Sequence, residues 1–342
     1  MMTRTDGPNP VLYTRNGFAG RTATLLRSQY STDYTQVKGS YAPRIYNLND
    51  LDEAAFNDRR AMPVSLMNDG TVSLEIAYRR EAAPFATRNV LADEVHVVLA
   101  GSATLETEFG VLSVAKDDIV LIPRAISYRF VDIVGELREF LIVTENELNF
   151  AMSPGLGPLT RMDAAAPFPD PSTRTGEYET LIRHGDQLTS VFTDYDPIPT
   201  ISVDGNRLLA KVNIHDIRSI NMGSGLLVPP LIIDDATART QIFDLSARTG
   251  DRPPIHYNAD YDEVFVYLEG PGQFGGITQN SVMTHTPKGF PHRGPVENVP
   301  EGFRGLLIET RATLTPTAAG HDIAKLADVD EFAVHPSATQ RV

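Results

Sequence analysis

Four residues in the second half of the chain, His256, Asn258, Glu263 and His292, have types and spacing suited to a metal ion. His256 and Asn258 are two apart, so on a strand they point to one face. Glu263 enters a facing strand after a tight turn, and His292 follows the turn-rich stretch Pro287-Lys288-Gly289-Phe290-Pro291. His256, Glu263 and His292 thus converge from three elements as two imidazoles and one carboxylate. With positions left open, that donor set is the pattern of non-haem iron(II) oxygenases, and zinc accepts the same donors. Asp262 is a neighbouring carboxylate and a weaker candidate ligand. Asn258 offers an amide oxygen as a weak ligand, or a hydrogen bond to a metal-bound water.

Composition narrows the chemistry. There is no cysteine among the 342 residues, which excludes disulfides, thiolate metal sites and cysteine nucleophiles, and there are only eight histidines. Lys plus Arg number 30 against 44 Asp plus Glu, a formal charge of −14. That surface suits neither a nucleic-acid backbone nor an anionic membrane. Hydrophobic residues at 42% and charged residues at 22% are ordinary globular values, and the length allows two or three domains. No run approaches the ~18–20 apolar residues of a membrane helix, and residues 1–7 lack the apolar core of a signal peptide. The expectation is a cytoplasmic protein.

The elements that must position the donors are written twice. Asp93-Glu94-Val95-His96-Val97-Val98-Leu99-Ala100-Gly101 agrees at six of nine positions with Asp262-Glu263-Val264-Phe265-Val266-Tyr267-Leu268-Glu269-Gly270, 169 residues later. The same offset pairs Asn89 with Asn258 and Pro84 with Pro253. Pro123-Arg124-Ala125-Ile126-Ser127-Tyr128 matches Pro287 to His292 in the same order. Both copies alternate apolar residues at period two, which predicts strands. Further strand-length runs lie at 102–109, 118–123, 137–144, 207–214, 240–245 and 303–310, and helix signals are confined to 49–59 and 321–332. Residues 153–176 carry five prolines and read as a linker.

Gly250, His256-Tyr257-Asn258, Glu263, Gly270 and Pro287 to His292 together resemble the two motifs of the cupin superfamily. The resemblance implies an all-β fold of two tandem cupin barrels, double-stranded β-helices related to jelly rolls, with few short helices. Residues 1–152 form a degenerate N-terminal cupin and 177–342 the metal-binding one. In the first copy Thr87 stands where His256 does and Tyr128 where His292 does, leaving Glu94 alone of the donors, so no metal is expected there. Asn89 persists without a metal site, which favours a structural role for the matching Asn258. His96 reads as a barrel-wall residue, and Phe265 and Tyr267 as core.

Around the donors the likeness narrows. Arg252-Pro253-Pro254-Ile255-His256-Tyr257-Asn258 resembles the Arg-Pro-Pro-aromatic-aromatic-His-x-Asn segment of homogentisate 1,2-dioxygenases. Ser281 to Pro287 and Pro291-His292-Arg293-Gly294-Pro295 are similar to a second stretch of that family. The resemblance, specific over 240–312, implies Fe(II) held by His256, Glu263 and His292, with His285 as a catalytic neighbour that binds substrate or moves a proton. The N-terminal part does not read like that family. Glu263 lies one residue further from His256 than the family's Glu, and Pro271-Gly272-Gln273-Phe274 replaces its carboxylate-binding Tyr and Lys. The large subunits of hydroquinone 1,2-dioxygenases, which cleave uncharged para-diols beside a small companion subunit, are similar in size and ligand type. Gentisate enzymes place three His in the first cupin, which this chain lacks. The implied reaction is ring opening of a para-dihydroxybenzene by dioxygen in an oligomeric enzyme, with Tyr257, Tyr261, Arg293 and Asn258 lining the substrate pocket. The alternatives are a Zn- or Mn-dependent isomerase or hydrolase and a non-catalytic small-molecule-binding bicupin. His215, after an apolar strand, is a further candidate base.

Overall fold

The computed structural model describes residues 9–17, 20–153, 157–206, 208–218 and 228–336. The signal-peptide reading of residues 1–7, linker positions 154–156 and strand position 207 lie outside them. Strand alternation explains the architecture. On the strand Asp93–Thr107, Val95, Val97 and Leu99 face one way while Glu94, His96 and Val98 face the other. The strand Asp262–Glu269 divides alike, with Val264, Val266 and Leu268 opposed to Glu263, Phe265 and Tyr267.

The first set from each half joins Leu74, Ile76, Phe140, Ile142, Leu306 and Ile308 in one core between the two large sheets. The opposite faces fill two separate interiors. Val98, Leu105, Val120 and Phe130 pack inside the first half, and Phe265, Tyr267, Phe303 and Leu307 inside the second. Burying a Val, Leu or Ile contributes about 1.5–3 kcal/mol. The shared core holds more such residues than either interior and draws them from both halves.

The all-β fold that the sequence implies is present, with an 11-stranded and a 9-stranded sheet and a small three-stranded sheet among the described residues. The sheets do not respect a division at residues 152 and 177. The strands Arg44–Asn47 and Leu148–Phe150 join the second-half sheet, and Asn9–Thr14 runs parallel to His256–Asn258. In return, Thr175–His184 pairs with Ala86–Asn89 and Ala210–Asn213 with Asp118–Ile122. The proline-rich stretch crosses the first half, bridging at Val111–Phe168 and Ala165–Lys211.

The expected strands form, but the runs at 93–101 and 102–109 merge into the single strand Asp93–Thr107, and 137–144 is the end of the longer strand Ser127–Thr144. The helices expected at 49–59 and 321–332 do not form. The first is two 3₁₀ turns, Leu48–Asp50 and Glu53–Phe56, because the Asn47 and Asp52 side chains each cap a fresh turn. The second is the short helix Ala318–Asp322 followed by the strand Ala324–Asp328, which covers the open edge of Arg44–Asn47. Gly270 ends the repeated motif at φ +144°, where a Cβ would approach the Gly302 carbonyl oxygen to 2.7 Å. No helix among the described residues is long and apolar enough to cross a membrane.

Candidate metal centre and its cavity

Alternation aims Glu263 into the second-half interior, and the loop before His292 returns to meet His256. The two histidines pair as a β-bridge, with backbone N–H···O contacts of 2.9 and 2.8 Å in the two directions. His292 Nε2 then lies 2.8 Å from Glu263 Oε2, and His256 Nε2 lies 3.8 Å from Oε1. Donor atoms of the three residues all fall within 4.8 Å of one another.

Both rings are fixed in one tautomer. His256 Nδ1 donates to the Pro254 carbonyl at 2.9 Å and His292 Nδ1 to the Phe290 carbonyl at 3.1 Å. A carbonyl only accepts, so Nδ1 carries the proton and each Nε2 presents a lone pair to the site. His292 Nε2 is buried and has no aligned hydrogen bond among the described residues. At that distance either a proton on Nε2 or a metal cation shared with the carboxylate oxygen satisfies both atoms. The donors therefore fit a divalent metal of the iron, zinc or manganese kind, with one side left open. Glu263 is held as a carboxylate: burial raises its pKa, but His292 and His256 overcome it and hold the carboxyl well below the usual range. Burial opposes a charge on His292, and the Glu263 carboxylate overcomes that too, raising its pKa.

Asn258 holds the carboxylate in place. Its Nδ2 donates to Glu263 Oε1, and its Oδ1 accepts from the Thr14 hydroxyl. The amide oxygen is thereby engaged by the N-terminal strand, and the side chain orients Glu263.

A cavity of about 200 Å³ opens over the three donors. Its walls include Leu12, Leu245, Phe265, Phe274 and Leu307, with Thr14, Thr284 and Thr286 near the donors. Phe265, read from the sequence as core, is packed in the second-half interior and also forms part of the cavity wall. Three charged residues line the same space and escaped the sequence reading. Arg248, 6% exposed, pairs with Glu297 at 2.7 Å. Burial outweighs that pairing and raises the Glu297 pKa to about 7. Glu309 is 1% exposed, and neither carboxyl oxygen has a hydrogen-bond partner among the described residues. Burial, then the neighbouring Glu263 charge, raises its pKa well above the ordinary value. The available signal was a carboxylate at an inward position of the apolar strand Arg304–Thr310.

Several sequence candidates fall elsewhere. His285 alternates away from Thr284 and Thr286 and binds Asp262 Oδ2 at 3.0 Å, outside the cavity. Asp262 also accepts from the backbone N–H groups of Lys288 and Leu314, so this pair ties loops together and Asp262 is not among the converging donors. Tyr257 alternates outward onto Tyr13 at 5.6 Å between ring centres. Tyr261 is buried with its hydroxyl on the Ala238 carbonyl, and Arg293 reaches the Pro253 carbonyl at 3.4 Å. None of these lines the cavity; of the four pocket candidates only Asn258 does. His215 is half exposed between Asp117 and Glu269, where the two halves meet.

The first half repeats the frame with other chemistry. Thr87 pairs with Tyr128 as His256 pairs with His292. The Tyr128 hydroxyl donates to Glu94 Oε2 at 2.8 Å and Asn89 Nδ2 to Oε1 at 3.0 Å. Burial raises the Glu94 pKa, but hydrogen bonds and charge from His96, with Asn89 and Tyr128, bring it to about 2. His96 Nδ1 in turn binds Glu139 at 2.9 Å. Hydrogen bonds occupy the place where the second half offers lone pairs.

A family model described as homogentisate 1,2-dioxygenase N-terminal matches residues 86–211. That stretch begins in the half without the donors and runs past residue 177, so the expectation that the N-terminal part does not read like this family is corrected over residues 86–152. No curated protein matches the chain. Among solved structures, a cupin 2 conserved barrel domain protein from Leptotrichia buccalis is similar with a TM-score of 0.42 and 14% identity, covering 78% of this chain and 95% of that one. A salicylate 1,2-dioxygenase from Pseudaminobacter salicylatoxidans is similar with a TM-score of 0.43 and 14% identity, covering 81% of this chain and 86% of that one.

Proposed function

We propose that this chain is a non-haem iron(II)-dependent dioxygenase that opens the ring of a para-dihydroxybenzene and inserts both oxygen atoms. The observation that carries the reading is the convergence of two imidazole lone pairs and one carboxylate, open on one side, on an apolar cavity. The similarity of residues 86–211 to a homogentisate 1,2-dioxygenase domain supports the same chemistry. A cavity of about 200 Å³ suits a single ring, since apolar cavities of roughly 150 Å³ hold benzene.

His256, Glu263 and His292 would hold the metal. When bound, iron supplies Lewis acidity toward a ring hydroxyl and a place for dioxygen beside it. The protein's own contribution is orientation and exclusion of water: Phe265, Phe274 and Leu307 confine the ring, and Asn258 fixes the carboxylate. Arg248, the cavity's one arginine or lysine among the described residues, pairs with Glu297 through Nη2 and leaves its buried Nη1 without a hydrogen-bond partner among the described residues. Pro271-Gly272-Gln273-Phe274, standing where the homogentisate family has its carboxylate-binding Tyr and Lys, favours an uncharged hydroquinone over homogentisate. A small companion subunit and an oligomer belong to the reading, and co-purification with a small protein would reveal the former.

The test is anaerobic reconstitution with Fe²⁺ followed by oxygen uptake. One dioxygen should be consumed per hydroquinone, and His256→Ala should lose iron. An absence of uptake with any dihydroxybenzene, or full iron occupancy in His256→Ala, overturns the reading. Turnover without oxygen on Zn²⁺ or Mn²⁺ would place the site among isomerases or hydrolases.

A further inference from the structure

Glu309 faces Glu263 directly across the antiparallel ladder, so the two side chains project from the same face of the sheet. It lines the cavity but stands outside the group of converging donors. A buried carboxyl normally has hydrogen-bond partners, because water's contacts must be replaced. Glu309 has none among the described residues at either oxygen. The duplication supplies an internal control. Val143 faces Glu94 in the same ladder relation, so the half that lacks the donors has an apolar residue here. A carboxyl is needed only where the donors are.

We propose that Glu309 hydrogen-bonds the ring hydroxyl on the metal-facing side of a diphenol bound in the cavity, and so selects hydroxylated rings over plain ones. The inference rests on the diol reading above. Much of the wall is hydrocarbon, from Leu12, Leu245, Phe265, Phe274 and Leu307, and Glu309 offers an unpartnered acceptor that a hydroxylated ring can use and a plain ring cannot.

Iron(II)-loaded protein kept free of oxygen is titrated calorimetrically with hydroquinone and, separately, with benzene as a ring without hydroxyls. Glu309→Leu should bind hydroquinone about tenfold or more weakly, with benzene affinity unchanged, iron content retained and the melting temperature not lowered. Glu309→Gln, which keeps hydrogen-bonding atoms, should stay within about threefold of the parent for hydroquinone. An unchanged hydroquinone affinity in Glu309→Leu overturns the assignment while leaving the diol reading intact. Equal losses for hydroquinone and benzene also overturn it, because the effect would then be one of cavity shape. A parent protein that does not bind hydroquinone overturns both.

Discussion

At the scale of single residues, the two Asn–Glu pairs are the most informative comparison in the molecule. Asn258 and Asn89 each donate to a buried carboxylate five residues later, with a metal-type donor set beside only one of them. The amide orients the carboxylate whatever its other oxygen meets. Asn258→Ala should therefore weaken iron affinity roughly ten- to hundredfold without abolishing it, as removal of an outer partner does, measured by competition with a chelator. In the first half, Tyr128→Phe leaves Glu94 Oε2 short of its donor and should cost about 1–3 kcal/mol in urea unfolding, with iron content unchanged. Glu94 also sets an acid limit. Its folded pKa of about 2 lies below the ordinary value of 4.5, so its contribution is present above about pH 4.5 and lost as pH falls toward 2. Unfolding midpoints at pH 7 and pH 3 should differ less in Glu94→Gln than in the parent.

At the scale of elements, the site depends on strands distant in sequence. Asn9–Thr14 lies beside His256–Asn258 in parallel, brings Thr14 to Asn258 and puts Leu12 in the cavity wall. Gly17, at φ +55°, passes so close to the carboxyl of Glu309 that a Cβ there would overlap it. Gly17→Ala should cost about 1 kcal/mol from the left-handed backbone alone and displace Glu309, lowering the melting temperature and hydroquinone affinity together. The failed helix expectations belong to this scale as well. Residues 324–328 become a strand because Arg44–Asn47 exposes an edge that needs a partner, a demand local propensity does not register.

At the scale of the whole molecule, the halves share one core and exchange strands. A fragment of residues 177–342 would lack Arg44–Asn47 and Asn9–Thr14 and would expose Val264, Val266, Leu306 and Ile308 to water. It should aggregate or give collapsed amide spectra by NMR, and it should not bind Fe²⁺ with the affinity of the full chain. A soluble, well-dispersed fragment with full affinity would contradict the shared-core account.

What the sequence determined was periodic and local. Alternation placed Val264 and Val266 against Glu263, the repeat set Thr87 and Tyr128 at the positions of His256 and His292, and donor types defined the metal class. These depend on spacing along one strand, which a chain carries in one dimension. His285 shows the limit: beside Thr284 and Thr286, one residue of alternation turns it away from the cavity. Tertiary structure alone decided that Glu309 and Arg248 enter the cavity and that residues 9–17 complete the second-half site. Such facts follow from which strands pair across more than two hundred residues, a choice made by the burial of whole sheet faces rather than by any short motif.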